Sequence, residues 1–128
     1  MVDTVEVEGG VLEQWSPEAL HEAFRKGEVA IIDVRTPQEF AFEHIRGALL
    51  DPLASFDPGA LPSQEGKRLV FHCGSGVRSR RVAEACLAAG FDRVAHLEGG
   101  FTAWKQAGLP YVAIDPASGG QRVVGADQ

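Results

Sequence analysis

Two side chains in this sequence could act together: Cys73 and Arg78, the ends of the run Cys73-Gly74-Ser75-Gly76-Val77-Arg78. A neutral thiol is a poor nucleophile and its thiolate a strong one. The intervening residues are mostly small, so the backbone can curl with successive N–H groups pointing inward, a nest that attracts an anion. Such a nest lowers the pKa of a thiol at its centre. Arg78 adds a fixed cation whose planar fork matches an oxyanion. The combination describes a cysteine that attacks an anionic molecule. A cysteine at the end of an apolar run is more often an inert core residue, but that role needs neither the glycines nor the arginine.

The flanking pattern says how these groups are held. Leu69-Val70-Phe71 leads through His72 into Cys73, which reads as a strand over 67–72. Val82, Cys86 and Ala89 then recur at i, i+4 and i+7, one face of a helix. The spacing predicts a helix over 79–89, stopped by Gly90. The loop thus empties into a helix N-terminus, whose first N–H groups lack intrahelical partners and carry partial positive charge. Ser79 reads as a helix cap or a substrate contact. Ser75 is either a hydroxyl that touches a bound anion or merely a small residue. Arg80 and Arg81 read as surface charges.

Other chemically capable residues have plainer readings. His72 neighbours Cys73, but adjacent strand side chains point to opposite faces, which argues against a general base. His44 and His96 read as packing or capping groups, since loop dipoles alone can activate a thiol. Asp33 stands near the C-terminal end of the run Val29–Val34, where open α/β sheets carry functional groups, and Arg35 directly follows that run. They read first as a buried ion pair anchoring the strand ends, with Asp33 supporting the rim near Cys73 as the functional alternative. Cys86 reads as core packing. No C-x-x-C pair exists, so no metal site is expected. Trp104 is expected in the core.

The chain has 128 residues, which fits one domain with its own core, and a formal net charge of −6. That charge argues against nucleic acid or an anionic membrane as partner, so an anion site must be built locally. No run approaches the ~18 apolar residues of a membrane span. The opening MVDTVEVEGG lacks the pattern of a secretory signal, and with a free thiol the expected location is cytoplasmic.

Taken in order, residues 1–10 alternate Val5 and Val7 with Glu6 and Glu8, an N-terminal extension or edge strand. Trp15-Ser16-Pro17 opens a helix over 17–26, with Ser16 as N-cap and Gly27 as its stop. Val29–Val34 is a doubly buried strand. Thr36-Pro37-Gln38-Glu39 is a capping box opening a short helix to Phe42. A short strand at 48–50, a Pro/Gly-rich stretch at 51–66 with a brief helix near 53–56, a strand at 93–97 and a helix at 101–107 follow. Residues 115–128 hold little to bury and read as a flexible tail. The fold class is α/β: a central, mostly parallel five-stranded sheet with helices on both faces, the domain spanning 11–114.

Three pieces of the sequence, in order, resemble the rhodanese family of sulfurtransferases. IIDVRTPQEFAFEHIRGALL at 31–50 is similar to its D-V-R…E-F…H-I-x-G-A block. Cys73–Arg78 resembles its active-site loop, and HLEGGFTAWKQAGLP at 96–110 its G-G-x-x-x-W segment. Arg46 departs from the proline common in that block, which touches only a local turn. The resemblance implies a rhodanese-like domain working by double displacement. Cys73 would take sulfane sulfur from thiosulfate or a similar small anionic donor, and the persulfide would pass it to cyanide or a thiol, a thioredoxin-like protein among the candidates. Gly74, Ser75, Gly76, Val77, Arg78 and Ser79 would bind the donor, Asp33 and Arg35 would shape the site, and no cofactor is required. A cysteine phosphatase or arsenate reductase is the competing enzyme reading, but those loops carry one residue more between Cys and Arg, and the shorter loop here suits a sulfur atom better than a phosphate. A rhodanese-like persulfide carrier or regulatory module serving a protein partner is the remaining alternative.

Overall fold

In the computed structural model the described residues are 1–7 and 9–125. Strand β1 (Val2–Val7) folds back antiparallel on β2 (Gly10–Trp15), and helix α1 (Pro17–Arg25) follows. Ser16 accepts the Ala19 N–H at 3.2 Å, the N-cap expected before Pro17. Next come β3 (Val29–Asp33), α2 (Pro37–Phe42), β4 (Glu43–His44) and β5 (Leu49–Leu50). Two 3₁₀ turns, Leu53–Ser55 and Pro58–Ala60, cross the Pro/Gly-rich stretch. The chain continues through β6 (Arg68–His72), α3 (Val77–Ala88), β7 (Arg93–Leu97) and α4 (Gly100–Gln106). It closes with β8 (Tyr111–Ile114) and β9 (Gln121–Val124).

The central sheet runs β1-β2-β7-β6-β3-β5, parallel except for the β1–β2 hairpin. Strand alternation splits the core in two. Leu69 and Phe71 of β6 pack with Val82, Cys86 and Leu87 of α3 on one face. Val70 faces the other way, with Leu20 and Ala23 of α1 and Phe101 and Trp104 of α4. β6 is thus buried on both sides and its C-terminal end is fixed at the centre of the sheet.

Two expectations need correction. The sheet has six strands, not five, because β2 pairs with β7 as an unforeseen parallel strand. Its apolar pattern is broken by Glu13, yet Glu13 is only 6 % exposed. Burial alone would raise this carboxyl, but Trp15 Nε1 at 2.9 Å, Arg93 at 2.6 Å and Arg68 at 3.0 Å hold it below its ordinary value. Glu13 is thus a paired, buried carboxylate within the sheet. The second correction concerns 115–128, expected as a tail. The chain turns at Asp115, whose side chain accepts the Ala117 N–H at 3.0 Å, and returns as β9 against β8, which pairs with β4. β9 shows no inward-outward alternation in its burial, so the hydrophobic pattern gave no signal. Glu8, within the expected N-terminal extension, and residues 126–128 of the expected tail lie outside the described residues. Residues 2–7 take the edge-strand alternative.

Candidate active site

Cys73 follows the last residue of β6, and its Sγ accepts the N–H groups of Gly76 at 3.1 Å and Ser79 at 3.3 Å. The cause lies partly in α4. In its first turn, the N–H groups of Phe101 and Thr102 donate to the carbonyls of Cys73 at 2.8 Å and Gly74 at 3.0 Å. A trans peptide points its C=O and N–H in opposite directions. Fixing the Gly74 carbonyl on α4 therefore turns the Ser75 N–H to the far side, toward the sulfur. Gly100 permits this contact: at φ +61° it lies so close that a Cβ would stand 2.6 Å from the Cys73 carbonyl oxygen. Gly76, at φ +104°, caps α3 in the left-handed region. The helix consequently begins at Val77, two residues before the expected Ser79, and Val77 and Arg78 lie in its first turn.

Burial pushes the Cys73 thiol up, but the hydrogen bonds from the Ser79 N–H and hydroxyl and from the Gly76 and Ser75 N–H groups outweigh it. The net shift is downward, toward the thiolate. The Val77 side chain is 67 % exposed and Ser75 is exposed at the rim, whereas Ser79 is fully buried.

Arg78 is not a bare cation. Its Nη1 and Nη2 donate to Glu39 Oε1 at 2.8 Å and Oε2 at 3.0 Å. That pairing is the main reason the Glu39 carboxyl falls to about 2, and it raises the arginine. A cation in the first turn of a helix faces the positive end of the dipole, which the Glu39 carboxylate offsets. Glu39 also completes the capping box, accepting the Thr36 N–H at 2.9 Å.

Asp33 and Arg35 form a buried pair, with Arg35 Nη2 donating to Asp33 Oδ2 at 2.9 Å and to the Glu43 carbonyl at 2.7 Å. The Arg35 guanidinium lies 4.7 Å over the Phe101 ring. Both residues thereby tie the end of β3 to α4 and β4, and neither hydrogen-bonds the thiol. His72 is fully buried with Nε2 3.4 Å from Asp33 Oδ2, and burial pushes it toward the neutral form. Cys86 is buried on α3, and desolvation lifts its thiol to about 11. His44 stacks on Phe40 and His96 meets Ser79 Oγ at 2.9 Å. Among the described residues, no three His, Cys, Asp or Glu side chains converge as metal ligands, and no helix is long and apolar enough to cross a membrane.

The structure therefore gathers Cys73, Gly74, Ser75, Gly76, Val77, Arg78 and Ser79 at one mouth, with Asp33 and Arg35 as its frame. Sequence reasoning missed three contributors. In the sequence Glu39 reads only as a capping-box acid, His96 as a packing or capping group and Gly100 as part of the G-G-x-x-x-W segment. Beside Arg78 lies a mainly apolar recess of about 350 Å³ lined by Val34, Pro37, Pro52, Leu53 and Ala54 among others. A larger cavity, about 440 Å³, lies between α1 and Trp104 and holds none of the loop residues.

Residues 16–107 match the rhodanese-like domain family. An uncharacterized protein of Synechocystis sp. is 43 % identical over 97 residues, covering 76 % of this chain and 54 % of the relative, so the chain spans about half of that protein. The thiosulfate sulfurtransferase GlpE of Coxiella burnetii is 32 % identical over 94 residues, covering 73 % of this chain and 82 % of the relative. Among solved structures, a rhodanese-related protein from Thermoplasma volcanium superposes with a TM-score of 0.67 at 26 % identity, covering 77 % of this chain and 96 % of that one.

Proposed function

This chain belongs to the rhodanese-like domain family, and from that premise we propose that it is a sulfurtransferase that carries sulfane sulfur on Cys73. The observation that carries the reading is a buried sulfur which accepts backbone N–H groups of Gly76 and Ser79 and is held toward the thiolate. With thiosulfate as donor, the Cys73 thiolate attacks the outer sulfur. The S–S bond to the sulfonate breaks, sulfite leaves with the bonding pair, and a Cys73 persulfide anion remains. Cyanide or a thiol, a thioredoxin-like protein among the candidate acceptors, then attacks the terminal sulfur and returns the thiolate.

The loop N–H groups oppose the charge that moves onto the persulfide, as an oxyanion hole does for oxygen. Arg78 receives the sulfonate, sharing its guanidinium between donor and Glu39. Since a carboxylate already occupies that fork, a donor bearing less charge than thiosulfate, such as a thiol-borne persulfide, meets less opposition. The decisive experiment is intact mass after thiosulfate treatment, beside Cys73→Ser. One added sulfur in wild type alone, removed by cyanide as thiocyanate, supports the reading. No gain with thiosulfate or with a persulfide donor overturns it.

A further inference from the structure

Among the described residues, Ser79 alone reaches the thiol with both backbone and side chain, and its hydroxyl is itself held. Its Oγ lies 3.7 Å from Cys73 Sγ, 3.3 Å from the Gly76 carbonyl oxygen and 2.9 Å from Nδ1 of His96 on β7. All three side chains are buried: Ser79 is 0 %, Cys73 1 % and His96 3 % exposed. Resting on the reading of Cys73 as the sulfur carrier, we propose that His96 is a positioning residue: its Nδ1–H donates to Ser79 Oγ and thereby commits the Ser79 hydroxyl proton to the Cys73 sulfur once that sulfur is charged.

Proton inventory sets the direction of the Ser79–His96 bond. A serine hydroxyl has one proton to give and two lone pairs to receive with. If it donated to His96 Nδ1, nothing would be left for the thiolate. If His96 donates, Ser79 Oγ receives from Nδ1–H and from the thiol, and gives its proton to the Gly76 carbonyl, so every site is used. On ionisation the hydroxyl swings from the Gly76 carbonyl to the sulfur, with no heavy atom required to move. The orphaned end of the ring decides between the two tautomers. His96 Nε2 is buried without a hydrogen-bond partner among the described residues. A bare acceptor buried there costs less than a stranded N–H, since orphaned buried donors are the rarer defect. The Nδ1–H tautomer therefore fits. It also needs a neutral ring, and burial, reinforced by Arg80, pushes His96 down to about 4.

The charged groups around the pair are few and already engaged. Arg80 and Glu84 of α3 flank His96 and pair with each other at 3.5 Å. Arg78 faces Cys73 and is held by Glu39, Asp33 is paired with Arg35, and the buried His72, pushed toward its neutral form, has its Nε2 3.4 Å from Asp33 without a hydrogen bond. Titration of Cys73 thus reports on the hydroxyl with little interference from nearby groups changing charge.

The test reads the pH midpoint of Cys73 alkylation by iodoacetamide, which needs no sulfur donor. His96→Leu is expected to raise the midpoint by about half a pH unit and to slow labelling at pH 7 about threefold, the scale of one hydrogen bond. His96→Asn, whose amide N–H can stand where Nδ1–H stood, should restore most of the wild-type profile. Ser79→Ala should raise the midpoint at least as far, and adding His96→Leu to it should change nothing more. Nitrogen-15 spectra of histidine-labelled wild type should show His96 protonated at Nδ1. An Nε2–H tautomer overturns the proposal. So does a His96→Leu midpoint equal to wild type, or one whose shift persists undiminished in the Ser79→Ala background. If alkylation behaves as expected while no donor loads sulfur, the positioning pair stands and the sulfurtransferase reading fails.

Discussion

Cys73 and Cys86 are thirteen residues apart and both are buried, at 1 % and 0 % exposure, in the same apolar cluster. Desolvation raises both thiols. Cys86 stays raised, at about 11, whereas Cys73 ends below the ordinary value near 9. What separates them is where the neighbouring peptide N–H groups point. Around Cys86 they are consumed by the α3 ladder. Around Cys73 the loop carbonyls are held by α4 and the N–H groups turn to the sulfur. Reactivity here follows the direction of the backbone N–H groups, with the Ser79 hydroxyl adding to them; exposure does not distinguish the two sites.

The largest expected effect would break the comparison outright. Cys73→Ser abolishes sulfur loading measured by intact mass, whereas Cys86→Ala loads like wild type and loses about 1 kcal/mol of stability for its missing core atom. Loading that survives in Cys73→Ser would assign the chemistry to the wrong thiol.

Reactivity against pH sharpens the contrast further. With its thiol near 11, Cys86 is ionised at pH 8 to only about one part in a thousand. Iodoacetamide followed by peptide mapping should label Cys73 with a midpoint below 9 and leave Cys86 unlabelled until the protein unfolds. The two thiols also couple to stability with opposite sign. Cys73, with a depressed folded value, contributes stability present above pH 9 and lost as pH falls through its folded value. Cys86, with a raised one, contributes stability present below pH 9 and lost as pH climbs toward 11.

Gly100→Ala tests the backbone explanation directly, because no group near the sulfur changes type. The added Cβ would meet the Cys73 and Gly74 carbonyls at 2.6 and 2.7 Å. The loop must retreat from α4, and with it the Ser75 N–H. A displacement of about 1 Å is expected to lower turnover roughly a hundredfold while the protein remains folded. Full activity would mean that the α4 contact does not orient the loop.

These residues also mark what the chain discloses locally. The strand, loop and helix around Cys73, the Ser16 cap and the Thr36–Glu39 box were all legible, because each is written within a few consecutive residues. β2 was not, since Glu13 is neutralised by Arg68 and Arg93, 55 and 80 residues away. β9 gains its order from pairing with β8 and from the turn at Asp115, with almost no burial to announce it. The same holds within the site. Glu39 meets Arg78 across 39 residues and His96 meets Ser79 across 17, so neither partner could be read from spacing. The early start of α3 is the exception. A glycine after Cys-Gly-Ser could have been read as a left-handed cap, and Arg78 then belongs to the helix, not the loop.

The smallest expected effect separates the arginine from the backbone. Glu39→Gln removes the carboxylate charge while retaining an acceptor for Thr36, and glutamine is compatible with a capping box. The pair is about one-third exposed on each side, so its worth is at most about 1 kcal/mol. Freed of its internal competitor, Arg78 should take a sulfonate more readily, and the KM for thiosulfate should fall about threefold with kcat little changed. Wild-type stability should also decline between pH 4.5 and about 2, as Glu39 loses its charge, and this decline should shrink in the variant. A rise in KM would show instead that Glu39 aims the guanidinium at the donor, and Arg78 would then count as part of the built site alongside the loop N–H groups.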